Sequence, residues 1–164
     1  MTTTIDNVID ALAAAINIVV PGVPVVRGQQ NLVAQPPNGY IMLTELFTID
    51  VETYNATYNE SAQQTTYTTP KKMHIQVDFL GDSSGEWCNA VKTIYKTPWM
   101  CAQLEPSGID PLYMDDGHQS PIIQGSAQYE TRWVAVLVLQ FNPSVVVSEQ
   151  SATSLNMNII QGVP

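Results

Sequence analysis

Apolar positions recur at helical spacing near the start of the chain. Ile5, Val8, Ile9, Leu12, Ile16 and Val19 form one stripe, which predicts a helix over residues 4–19. Thr4 can cap it, Asp6 lies in its first turn, and Pro21-Gly22 ends it. The period then falls to two. Val23 to Gln30 reads as a short extended segment, and Gln35-Pro-Pro-Asn-Gly39 as a turn. Tyr40 to Thr53 has strand composition, with Ile41, Leu43, Phe47, Ile49 and Val51 spaced largely by two. The polar stretch Asn55 to Gln64 predicts a hairpin tip or long loop, and Thr65 to Leu80 the returning strand, interrupted at Pro70. Its second half alternates cleanly, with Met73, Ile75, Val77 and Phe79 on one face and His74, Gln76 and Asp78 on the other.

A second helix is predicted from Ser83 to Thr97, where Ser83 and Glu86 have capping-box spacing and Trp87, Ala90, Val91, Ile94 and Tyr95 form a stripe. Pro98 stops it. Residues 98–128 carry Pro106, Gly108, Pro111, Gly117 and Pro121 and predict loops and short strands. Tyr129 to Val147 is the strongest strand signal. Trp133, Ala135, Leu137, Leu139 and Phe141 face one way, while Val134, Val136 and Val138 on the other side suit a central strand. A final short strand is expected over residues 151–163. The order lacks a repeating strand–helix alternation. The fold class expected is therefore α+β: a mainly antiparallel sheet, two helices packed on the face of Ile75, Val77 and Trp133, and a long hairpin arm.

Composition narrows the function classes. The 164 residues suit one domain, 1–164. Only 13% are charged, with 15 acidic residues against 6 basic ones and a formal charge of −9. In their place stand 15 Thr, 13 Gln, 10 Asn and 10 Ser. So few cations cannot neutralise a row of phosphates, which argues against a nucleic-acid groove, and an acidic chain is ill suited to a membrane surface. Met1 to Asp10 lacks the basic start of a secretory signal. Cys88 and Cys101 make neither a disulfide framework nor a metal motif and read as reduced thiols.

The sharpest chemical motif is Gly81-Asp82-Ser83-Ser84-Gly85, which fits G-x-S-x-G between a strand and a helix and has Asp110, Asp115, Asp116 and His118 downstream. A small serine hydrolase using Ser83 or Ser84 with His118 is one reading. Against it, antiparallel-looking strands precede the motif, whereas an α/β-hydrolase places parallel strands and crossover helices there, and a strand end followed by a helix cap explains the same residues. Asp115-Asp116-Gly117-His118 lacks calcium-loop spacing and reads as an acidic turn. A sugar-binding module using Trp99, Tyr113 and the loop at Asp115 is a third reading. Neither a cofactor nor a metal is expected.

Val20-Pro-Gly-Val-Pro-Val-Val-Arg-Gly-Gln-Gln-Asn-Leu32 after an N-terminal helix, then Tyr40-Ile-Met-Leu, His74-Ile-Gln-Val-Asp-Phe-Leu-Gly81, and Glu130-Thr-Arg-Trp133 leading into Leu137-Val-Leu-Gln-Phe-Asn142, resemble the tailed-bacteriophage neck and tail terminator family over roughly residues 5–160. The resemblance implies a structural virion protein without catalytic residues. It implies a homo-oligomeric ring, a hexamer, that caps the tail tube in the virion neck after assembly in the host cytoplasm. Its partners would be the tail tube protein, the head-completion or connector protein and the sheath, with DNA passing through unbound and no membrane contact. A head-completion stopper or adaptor is the neighbouring reading. Charge depletion suits a chain whose surface is largely interface, and head-to-tail contacts that close make a ring. The Thr/Tyr/Asn/Gln-rich stretch Thr53 to Thr69 suits an arm reaching a neighbour. The candidate interface residues are Arg27, Tyr54, Tyr58, Tyr67, Lys71, Lys72, Trp99 and Arg132. Arg27 and Arg132 read first as partners of carboxylates and second as interface residues, and Lys71-Lys72 as a solvated loop or a guarded edge.

Overall fold

The computed structural model describes residues 3–30, 36, 39–124 and 128–149. The expected strand over 151–163 lies outside them, as do residues 35, 37 and 38 of the expected turn at 35–39. Helix α1 (Ile5–Val19) begins where predicted: Thr4 Oγ1 accepts the N–H of Asn7 at 3.2 Å, and Val8, Ile9, Leu12, Ala15 and Ile16 are its buried stripe. Gly22, at φ +82°, turns the chain out of it. Strand β1 (Val25–Arg27) pairs in parallel with β2 (Tyr40–Asp50), and among the described residues every other pairing is antiparallel.

The main sheet runs β1-β2-β5-β10-β6, where β5 is Lys71–Leu80, β6 is Ile109–Met114 and β10 is Arg132–Phe141; the two-residue β7 (His118–Gln119) also pairs with β10. The doubly apolar strand is thus central, as its pattern requires. Met73, Ile75, Val77 and Phe79 of β5 face the same way as Ala135, Leu137, Leu139 and Phe141 of β10, and all eight are buried. Against this face lie α1, α2 (Ser84–Tyr95) and α3 (Pro98–Leu104), contributing Leu12, Ile16, Cys88, Val91, Tyr95, Met100 and Leu104 to one core. The buried Tyr95 hydroxyl donates to the Val138 carbonyl at 3.2 Å, and burial pushes its pKa far above the usual phenol range.

Among the described residues three helices therefore cover the sheet, one more than expected. The addition, α3, lies in the stretch expected to hold only loops and short strands. Pro98 ends α2 but also occupies the first turn of α3, where its missing N–H costs nothing. Met100 and Leu104, four residues apart, bury the short helix. A 3-10 turn, Glu105–Ser107, leads from α3 into β6, and β8 (Ile122–Gln124) pairs with β9 (Gln128–Glu130).

The predicted strand Tyr129 to Val147 is divided. It covers the end of β9, all of β10 and most of β11 (Ser144–Ser148), with Asn142-Pro143 between the last two. The stretch expected to be a tip contains strand β3 (Asn55–Asn59), so that the tip proper is Glu60–Gln63, before β4 (Gln64–Thr68). Strands β11, β4 and β3 form a second sheet in that order. The hairpin arm is therefore three-stranded, because β11 pairs along it.

Candidate assembly interface

The arm continues the register of the main sheet across a short break in the pairing. Partners step from Leu80–Arg132 to Lys71–Phe141 between β5 and β10, and from Thr68–Ser144 to Gln64–Ser148 between β4 and β11. The register is the same throughout, across Pro70 and Pro143. At the junction Thr69 N–H donates to the Pro143 carbonyl at 3.2 Å and Val51 N–H to the Pro70 carbonyl at 2.9 Å. Neither proline is asked to donate, so both fit the ladder. The irregularity falls on β2 instead, where the register shifts between Glu45 and Phe47.

Because side chains alternate, the helix-covered face of the main sheet continues onto one face of the arm. Positions 73, 71, 69, 67 and 65 share it on one strand and 139, 141, 143, 145 and 147 on its partner. On the arm this face carries Tyr54, Ala56 and Tyr58, then Thr65 and Tyr67, then Val145 and Val147. The opposite face carries Asn55, Thr57, Asn59, Gln64, Thr66, Thr68, Ser144 and Ser148, with Val146 its one large aliphatic side chain. The three helices stop short of the arm. Tyr54 is 63% exposed, Tyr58 42%, Val145 64% and Val147 42%. The arm is thus an amphipathic sheet whose apolar side is bare in the single chain.

Its aromatic side is ordered internally. Tyr54 meets Tyr67 edge to face at 5.4 Å. Thr65 and Tyr67 donate their hydroxyls to the two carboxylate oxygens of Glu149, Tyr67 at 2.7 Å. These bonds, Thr65 first, lower the Glu149 pKa, and the bond to Glu149 raises that of Tyr67. Glu149 N–H also donates to the Gln63 carbonyl at 3.0 Å, which fixes the end of β11 beside the tip.

Of the eight candidate residues, Tyr54, Tyr58 and Tyr67 come together on this face. Lys71 and Lys72 lie at its root, and Lys71 pairs with Asp50 at 2.6 Å. The other three lie elsewhere. Arg27, at the end of β1, pairs with Asp6 of α1, chiefly through a hydrogen bond that raises its pKa. Trp99 is partly exposed on α3. Arg132 donates Nη2 and Nε to one oxygen of the buried Asp78, at 2.6 and 2.9 Å. Sequence reasoning missed Val145, Val147 and Glu149. Their signal was the alternation 141, 143, 145, 147, which persists through the proline.

The G-x-S-x-G segment is accounted for by packing. Gly81 has φ +124°, and a Cβ there would lie 2.9 Å from Gly39 Cα. A Cβ on Gly85 would lie 3.0 Å from Trp133 Nε1. Both glycines let backbone and indole approach closely. Ser83 stands at the helix entry with φ −97° and ψ 16°, without the side-chain cap bond that its spacing suggested. Ser84 is buried and donates to the Thr131 carbonyl at 3.5 Å. His118 is exposed on β7 opposite Val134. In the acidic turn, Asp116 pairs with Lys92 and Asp115 N–H donates to the Val136 carbonyl at 2.9 Å.

No curated protein matches the chain. Its fold is similar to the PVC sheath/tube terminator of an extracellular contractile injection system, solved by cryo-EM in the extended state, with a TM-score of 0.59 at 7% sequence identity. The match covers 99% of this chain but 65% of that one, so the chain spans just under two thirds of its length. The family model for the phage neck terminator protein matches residues 6–163. With the match running through both the helical layer and the arm, the chain belongs to the phage neck terminator family.

Proposed function

We propose that the chain caps the tail tube as a closed homo-oligomeric ring, a hexamer, and joins it to the head-completion or connector protein. The observation that carries this reading is the arm: a three-stranded extension whose apolar face continues the core surface and is left uncovered by its own helices. Burying that face against a neighbour would extend the core from subunit to subunit, and head-to-tail contacts of this kind close into a ring. Tyr54, Tyr58 and Tyr67 belong to the contact. Lys71 and Lys72 flank it, and Arg27, Trp99 and Arg132 are secondary. The sheath is a further partner, consistent with the fold shared with a sheath/tube terminator. DNA passes through the lumen without a phosphate-binding site, which a net charge of −9 favours. The site of action is the virion neck, after assembly in the host cytoplasm.

The role is structural and non-enzymatic. Burial of Ser84 and the packing duty of Gly81 and Gly85 support this. The test mixes the purified chain with growing tail tubes and follows tube length by electron microscopy and particle mass by light scattering. Tubes of arrested length, with a cap near six times 18.0 kDa, are expected. A chain that stays monomeric at all concentrations and leaves tube growth unchanged refutes the proposal. The double variant Tyr58→Asp/Val147→Asp, altered only at exposed positions, is expected to stay folded and lose capping.

A further inference from the structure

We infer that the bare face of the arm is covered by residues 150–164 of a neighbouring copy of the chain, donated as an extended segment. This rests on the ring reading and names what holds adjacent subunits together.

Four observations converge on this occupant. First, the exposed side chains of Tyr54, Tyr58, Val145 and Val147 present on the order of 300–400 Å², about half of the roughly 800 Å² per partner in a standard stable interface. That footprint suits one strand-like segment better than a whole subunit face. Secondly, residues 150–164 contain no Asp, Glu, Lys, Arg or His, and Leu155, Met157 and Ile159 alternate with Asn156 and Asn158. Such a segment has one apolar side, and it brings no charge of its own to a face whose one carboxylate, Glu149, is already held by Thr65 and Tyr67. Thirdly, the direction of exit favours a neighbour. Ser148 pairs with Gln64, and Glu149 is tied to Gln63, Thr65 and Tyr67, so β11 leaves the arm at its tip. The next residues, Gln150-Ser-Ala-Thr-Ser154, include none of the Gly, Asn or Asp that a two-residue hairpin return needs. Continuing outward, residues 150–164 reach up to roughly 50 Å, ample to run along a second arm. Fourthly, the family match extends to residue 163, so the segment lies within the matched length.

The experiment places a photo-cross-linking residue at position 58 (Tyr58→p-benzoylphenylalanine) in the full-length chain. Equal amounts of nitrogen-14 and nitrogen-15 protein are mixed, assembled on tail tubes, irradiated and mapped by mass spectrometry. Cross-links from position 58 to peptides within 150–164, about half of them of mixed isotope, are expected. The double variant Leu155→Asp/Met157→Asp is expected to lose these cross-links and lower ring yield at least tenfold, with an unchanged circular dichroism spectrum. Same-isotope cross-links alone overturn the inference by placing the segment on its own arm. So do cross-links to any other region, or rings that form equally well after truncation following Glu149, and in these cases the ring reading stands. A full-length chain that gives neither ring nor cross-link overturns both.

Discussion

Arg132 and Asp78 make an asymmetric ion pair, and the asymmetry predicts unequal costs. Asp78 is wholly buried, whereas the Arg132 side chain keeps 23% of its surface in water. Asp78 receives the two Arg132 bonds and two more from Gln76 Nε2, at 2.9 and 3.1 Å. Arg132→Ala strands a buried carboxylate with one neutral donor group, and such losses cost about 3–5 kcal/mol. Loss of the arginine stem also opens a path for water, so about 3 kcal/mol is expected. Asp78→Ala leaves a guanidinium that can still hydrate, and only the charge-assisted bonds are lost, at about 2 kcal/mol. The double variant should fall short of the sum by about 1–2 kcal/mol, since neither single loss recurs once both groups are gone. Urea unfolding at 25 °C followed by tryptophan fluorescence reads all three. For a chain of 164 residues, each kcal/mol corresponds to about 2–4 °C in Tm. An Asp78→Ala cost equal to or above that of Arg132→Ala, or strict additivity, would refute the reasoning.

Four further expectations concern the core and the glycine segment. Met100→Ala should cost about 2–5 kcal/mol in urea unfolding, because α3 contributes a fully buried side chain to the one core; a cost under 1 kcal/mol would detach α3 from that core. Tyr95 is neutral in the folded state and its pKa is raised by burial, so its stabilising contribution is complete below the unfolded phenol pKa of about 10 and is lost as pH rises beyond it. Wild type should therefore lose more stability than Tyr95→Phe between pH 9 and 11 (roughly the span about that phenol pKa), and parallel losses would contradict the assignment. Gly81→Ala should destabilise by about 1–3 kcal/mol through its positive φ and the approach of Gly39, while wild-type protein treated with a fluorophosphonate should show no labelling of Ser83 or Ser84 by mass spectrometry.

Legibility followed the source of each element's stability. Helix α1 and strand β5 carry their reasons locally, in a capped apolar stripe and a strict alternation, and both are visible in the sequence. Strand β10 shows its central position through apolar residues on both sides. Helix α3 was hidden because Pro98 gives one signal for two events, a stop and a start, and a seven-residue helix has little room for periodicity. Strand β3 was hidden for a different reason. Asn55-Ala-Thr-Tyr-Asn59 has little apolar content and is a strand because β4 pairs with it. The same limit applied to the candidate interface. The tyrosines stood out as residue types, whereas Val145 and Val147 read as the end of a core strand until the proline shifted them into the arm.

The low overall charge has a local meaning in this geometry. The arm's outer strands are Asn55–Asn59 and Ser144–Ser148, with no lysine, proline or charge in either. Strand edges of that composition normally invite pairing with other chains and are guarded by charge or proline. Here the charges lie at the limits of the strip: Asp50, Glu52, Lys71 and Lys72 at the root, Glu60 and Glu149 at the tip. An uncharged, unguarded, two-edged sheet with one apolar face would be an aggregation hazard if it were only surface. It would be tolerable in a protein that assembles through that sheet, as proposed above. The charged ends would then restrict pairing to a partner that fits between them, as the proposed uncharged segment of another subunit would.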